Sequence, residues 1–83
     1  MPVLLLHSAF LYPNPVVDGV LNIAAEVVGT LSVYNNAGAL VLSQPLDCSA
    51  GVAAANVASL QAGIYYARFV TANGASVQKF IVK

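Results

Sequence analysis

Charge is scarce in this sequence, and most functions that depend on a strong electrostatic field are excluded with it. Only 7% of the 83 residues are charged, and three basic side chains balance three acidic ones. Such a chain has no field that attracts nucleic-acid phosphates or anionic lipid, so we predict no nucleic-acid partner. The charged residues are Arg68, Lys79, Lys83, Asp18, Glu26 and Asp47.

Reactive side chains are equally scarce. The single cysteine, Cys48, cannot form an intrachain disulfide and is predicted to be a small buried apolar residue. The single histidine, His7, has no cysteine or carboxylate at metal-ligand spacing. No serine lies in a nucleophile-elbow context, and no glycine-rich loop is placed to hold phosphate. The sequence therefore predicts a protein that is not an enzyme and has no catalytic site, metal site or cofactor.

Long apolar runs are missing although hydrophobic residues make up 59% of the chain. No stretch approaches the roughly 18 apolar residues of a membrane-spanning helix. Residues 3–6 are apolar but too few for the core of a secretory signal, so an export signal would lie on a part of the protein not present here. Low net charge with high apolar content favours association with a partner or with copies of the same chain.

Short apolar blocks separated by Gly, Pro and Asn predict an all-β fold. We expect one domain over residues 1–83, a small immunoglobulin-like antiparallel β-sandwich of about seven strands. Gly29 is predicted to mark a turn, and Pro45 to restrict the residues after it to an edge. The alanine-rich segment 52–57 is assigned to a strand, with a helix as the alternative. The other candidate strands are residues 3–6, 20–27, 30–34, 39–43 and 46–48.

The terminal hairpin, residues 64–82, is the strongest local signal. Asn73 and Gly74 are predicted to form its two-residue turn, which pairs Arg68 with Lys79. Alternation then separates an apolar core face from a mixed outer face that carries both basic residues, and such a mixed face is more often ordinary surface than a binding site. The predicted core face comprises Tyr65, Ala67, Phe69, Phe80 and Val82.

Four short motifs occur in a fixed order along the chain. The first is Tyr12, Pro13, Asn14 and Pro15, and the second is residues 31–38, which end at Gly38. The third is residues 57–65, which contain Leu60, Gly63 and Tyr65. The fourth is Gly74 followed by residues 79–83. In order and spacing they resemble the type A C-terminal sorting domain of the type IX secretion system of Bacteroidota, over about residues 10–83. Each position also has a structural interpretation: the prolines form a corner, the glycines allow turns, and Tyr12, Leu60, Tyr65 and Phe80 fill the core.

The resemblance implies a domain at the end of a larger cargo protein. Its partners would be the outer-membrane type IX translocon and a surface processing enzyme, and the cargo would pass through the periplasm to the cell surface or the medium. A chain beginning at Met1 would be either a domain cut from its cargo or a short protein that uses the same fold differently.

Two predictions concern recognition. The last strand is expected to present its backbone edge, two ammonium groups and a carboxylate to the partner, through Lys79, Phe80, Ile81, Val82 and Lys83. The alternative function is a self-assembling surface or fibre subunit that associates through an open sheet edge. That association would use residues 3–6 or the face of Tyr66, Val70, Val77 and Ile81.

Overall fold

The computed structural model describes residues 10–72 and 74–83, which form an all-β sandwich. Its seven strands are β1 (Phe10–Tyr12), β2 (Val20–Ala24), β3 (Val28–Asn35), β4 (Leu40–Asp47), β5 (Val52–Asn56), β6 (Gly63–Thr71) and β7 (Gly74–Val82). One antiparallel sheet has the order β1-β2-β5 and the other has the order β4-β3-β6-β7. The predicted fold class is confirmed, and the alanine-rich segment is strand β5. The predicted strand at residues 3–6 lies outside the described residues.

The two sheets enclose a single apolar core, because their strands alternate between inward apolar and outward side chains. Leu21 and Ile23 of β2, and Leu31 and Val33 of β3 in the opposite sheet, are fully buried and belong to this core. The chain crosses between the sheets after β2, β4 and β5, which is the connectivity of immunoglobulin-like sandwiches. No helix long and apolar enough to cross a membrane occurs within residues 10–72 and 74–83.

The turn of the terminal hairpin differs from the prediction. Thr71 pairs with Gly74, so Gly74 begins β7 instead of forming the turn. Its φ of 139° is one that only glycine adopts readily, so the glycine is still required at this position. Asn73, the other predicted turn residue, lies outside the described residues.

The pairing of β6 with β7 is consequently shifted by two residues from the predicted register. Arg68 lies opposite Val77, and Lys79 lies opposite Tyr66, so the predicted pairing of two like charges is wrong. A shift of one residue would move every side chain to the other face, whereas a shift of two keeps each on its face, so alternation could not distinguish the two registers. The observed register pairs Tyr65 with Phe80, whose ring centroids are 5.7 Å apart.

Two predicted boundaries are also wrong. Strand β2 ends at Ala24, and the chain turns at Glu26, whose φ is 62°, so the turn precedes Gly29. Gly29 lies inside β3, at a position where a side chain would collide with the ring of Phe69. Strand β4 continues through Pro45 to Asp47, so residues 46–48 do not form a strand of their own. Because β4 is an edge strand, the missing N–H of Pro45 costs no ladder hydrogen bond, as predicted.

Candidate functional site

The last residues of the chain divide into two sets by the direction of their side chains. Phe80 and Val82 point into the core and are 0% and 8% exposed. Lys79, Ile81 and Lys83 are exposed on the opposite side. The five residues predicted to bind a partner therefore lie together, but only the three outward side chains can contact one.

Residues 13–16, here called the clasp, bind along the outer edge of β7. The carboxamide of Asn14 donates to the Lys79 carbonyl at 3.4 Å and accepts from the Ile81 N–H at 3.0 Å. One step further, the Val16 N–H donates to the Ile81 carbonyl at 2.7 Å, and the Lys83 N–H donates to the Val16 carbonyl at 2.9 Å. Val16 also forms a parallel bridge with Val82. Three backbone groups of β7 that point away from β6, and the N–H of Lys83 that follows the strand, are thus hydrogen-bonded within the chain.

The sequence of the clasp explains why a side chain takes part in this ladder. Pro13 and Pro15 have no N–H, so the backbone on either side of Asn14 lacks the donors of an ordinary strand. The Asn14 carboxamide presents a donor and an acceptor side by side, as the N–H and C=O of one strand residue do, and occupies the position of the missing strand. The motif at residues 12–15 therefore holds the C-terminal motif in place.

The clasp changes the predicted mode of recognition. At residues 79–83 the backbone edge was expected to be open to a partner, but the groups of Ile81 and Lys83 that point away from β6 are already bonded to Asn14 and Val16. Strand addition at this stretch would first have to displace the clasp. What the domain offers directly is the row of outward side chains.

We expect Asn14→Ala to weaken the attachment of the clasp by about 1 kcal/mol, the ordinary net value of a lost hydrogen bond. The Ile81 amide should lose hydrogen-exchange protection because its acceptor is removed. The Phe80 amide, which faces β6, is the internal control and should keep its protection. Asn14→Asp retains an acceptor for Ile81 and should leave that amide largely protected. Unchanged Ile81 exchange in Asn14→Ala would contradict the assigned role of Asn14.

The other motif residues have structural positions. The Tyr65 hydroxyl donates to the Gln61 carbonyl at 2.7 Å, as in the tyrosine corner of immunoglobulin-like domains, and Leu60 packs against the core as predicted. Gly38 has a φ of 87° and lies in a loop held by Asn35, whose carboxamide accepts from two backbone N–H groups.

Of two further motif positions, Tyr12 and Gly63, only Tyr12 differs from its predicted role. Tyr12 is 40% exposed, so the expectation that it fills the core is wrong. It alternates with the buried Leu11 on a strand of three residues and therefore points outward. Its ring centroid lies 5.9 Å from that of Phe10. Gly63 begins β6 and pairs with Val82, so it lies at the end of the turn that precedes the strand.

Two other ionisable side chains, Asp47 and Cys48, have shifted pKa values that their local hydrogen bonds and burial explain. The Ser49 hydroxyl and N–H donate to the Asp47 carboxylate, and these bonds hold the pKa of Asp47 below its usual value. Burial raises the pKa of the Cys48 thiol, which favours the unreactive protonated form. Residues 10–72 and 74–83 contain no group of three or more His, Cys, Asp or Glu side chains that could hold a metal ion.

Sequence reasoning missed the contact between Asn14 and β7, although the motif itself was recognised. The available signal was an amide side chain between two residues without N–H groups, which indicates that the side chain makes hydrogen bonds. It does not indicate with which strand, because the partner is 67 residues away in the sequence.

Comparisons with known proteins identify a family and a similar fold. The family model for the secretion system C-terminal sorting domain matches residues 10–83, which include all seven strands and the clasp. No curated protein matches the chain. Among solved structures, the crystal structure of CopC from Methylosinus trichosporium OB3b is similar with a TM-score of 0.56 and 14% identity, covering 92% of this chain and 94% of that one. At this identity the similarity concerns the fold alone.

Proposed function

Because this chain belongs to the family of secretion system C-terminal sorting domains, we propose that it directs an attached cargo protein to the cell surface or the medium by way of the type IX secretion system. The observation that carries the proposal is the family match over residues 10–83. Domains of this family are sorting signals and not catalysts. The partners we propose are the outer-membrane translocon and the surface enzyme that processes the exported cargo.

The clasp supports a role for the end of the chain in this recognition. A terminal strand held along its free edge keeps its outward side chains in a fixed arrangement, which lowers the entropy lost on binding. Lys79, Ile81 and Lys83 lie in alternating positions on one side of the strand and are exposed. We propose that these three side chains contact the machinery, while Phe80 and Val82 act by holding the strand in the core.

The test is delivery of a reporter that carries its own Sec signal and ends in residues 1–83, in a bacterium with a functional type IX system. We expect surface or medium delivery of the intact fusion and periplasmic retention of a fusion lacking residues 79–83. Deletion alone is not decisive, because it also removes Phe80 from the core. The second variant therefore keeps the core and changes only the outward side chains, as Lys79→Gln, Ile81→Thr and Lys83→Gln together.

We expect this triple variant to be retained in the periplasm while its purified domain melts cooperatively near the temperature of the unaltered domain. Retention of a folded variant would assign recognition to the outward side chains, whereas delivery would assign it to another part of the fold. If the intact fusion and the truncated one were retained equally, the chain would not be a sorting signal.

A further inference from the structure

The two strands of the terminal hairpin, β6 and β7, carry an exposed surface that the clasp does not explain. The outer hairpin face is formed by the outward side chains of β6 and β7, which are Ile64, Tyr66, Arg68, Val70, Val77, Lys79 and Ile81. We propose that this face, centred on Arg68 and Tyr66, is the docking surface for a protein partner whose own surface presents carboxylates beside apolar side chains. The proposal rests on the proposed function and identifies the chemistry of the partner at that site.

The distribution of charge is the first support. The face carries two cations, Arg68 and Lys79, and no carboxylate. Cross-strand neighbours of Arg68 are Ser32 and Val77, and those of Tyr66 are Tyr34 and Lys79. Because Arg68 and Lys79 are diagonal neighbours on paired strands, their side chains extend from adjacent positions of the same surface.

The acidic residues of the chain lie away from this face. Glu26 is in the turn between β2 and β3, and Asp18 lines the same shallow depression as Lys83, at the end of the chain. Asp47 is on the same sheet, but it is two strands and four residues from Arg68. At ordinary strand spacings that separation is about 16 Å, longer than the Debye length of roughly 8–10 Å in physiological salt. The positive charge of the face is therefore available to an external partner.

The apolar part of the face is the second support. Five large apolar or aromatic side chains on it are exposed, with Val77 at 63% and Tyr66 at 37%. Arginine and tyrosine are among the residue types that most often dominate the binding energy of protein interfaces, and here they are two residues apart on one strand. A cation surrounded by apolar side chains is complementary to a protein surface on which a carboxylate is surrounded by apolar side chains.

The same features disfavour other occupants. A symmetric contact with a second copy would bring the Arg68 and Lys79 side chains of both copies to one interface, where like charges oppose each other. Two cations are also few for nucleic acid or an anionic membrane, whose binding strength grows with the number of basic residues. An acidic protein surface satisfies the cations and the apolar side chains together.

The test uses the reporter fusion ending in residues 1–83 and a matched pair of variants. Arg68→Gln removes one positive charge from the face, and Ala54→Glu makes the same change in net charge on the exposed side of β5 in the other sheet. We expect Arg68→Gln to lower the ratio of surface to periplasmic reporter roughly tenfold, the effect of breaking one interfacial charge pair. Ala54→Glu and the charge-conserving Arg68→Lys should retain most of the delivery.

Three results would overturn the proposal. In the first, the unaltered fusion reaches the surface and the Arg68→Gln fusion reaches it to the same extent; the docking face would then be wrong and the sorting function would stand. If the unaltered fusion failed, both would fall. The third is Arg68-dependent binding by the purified domain to phosphatidylglycerol vesicles, to a single-stranded oligonucleotide or to itself in light scattering, which would assign the face to another occupant.

Discussion

Phe80→Ala is expected to lower the free energy of unfolding by about 3–5 kcal/mol, as truncation of a fully buried aromatic side chain does. The Phe80 ring is 0% exposed and stacks on Tyr65, so its removal leaves a cavity between the two sheets. Small domains have only about 5–15 kcal/mol of stability in total, so much of this fold's stability would be lost. Urea unfolding followed by circular dichroism measures the change.

The matched control is Ile81→Ala, on the same strand one residue further. Ile81 is 39% exposed, and its backbone groups bind the clasp whatever its side chain. We expect a loss of about 1 kcal/mol or less, since a half-exposed side chain removes less apolar surface from water. Equal losses for the two variants would show that the inward and outward sides of β7 are assigned incorrectly.

Gly29→Ala is expected to destabilise the fold by about 3 kcal/mol, the upper end of the range for overpacking a core. A Cβ at this position would lie 2.6 Å from the Val70 carbonyl oxygen and 2.7 Å from the Phe69 ring. Neither group can retreat at low cost, because Phe69 is 2% exposed and Val70 belongs to the β3–β6 ladder. Thermal unfolding of the purified domain measures the loss.

Gly38→Ala separates this steric effect from the cost of backbone conformation. Nothing lies within 4 Å of a Cβ at Gly38, but its φ of 87° disfavours any other residue. The expected loss is about 1–2 kcal/mol, the cost of the left-handed conformation alone. Gly29→Ala should exceed it, and the reverse order would mean that β3 and β6 have room to separate at Phe69.

These stability effects bear on how the sorting function can be tested. Residues 79–83 combine core side chains with exposed ones, so a deletion changes the fold and the recognition surface together. Substitution of Lys79, Ile81 and Lys83 changes only the surface. Comparing such variants with Phe80→Ala distinguishes loss of a signal from loss of the domain that holds it.

Local patterns in the sequence determined the fold class and the inward faces of the two strands of the terminal hairpin. Alternation in the terminal hairpin predicted that Tyr65, Phe69 and Phe80 are buried, because the period of two depends only on the order of residues along a strand. The four motifs likewise identified the family. These inferences succeeded because each depends on a few neighbouring residues.

Register and long-range contacts were decided only by the tertiary structure. Two hairpin registers that differ by two residues bury the same side chains, so the choice depends on contacts across the strands, such as that of Tyr65 with Phe80. Gly29 looked like a turn residue, and only the position of the Phe69 ring reveals that the glycine makes room inside a strand. The bond from Ile81 to Asn14 joins residues 67 positions apart, and folding creates it by bringing a side-chain amide to a strand edge that no local pattern specifies.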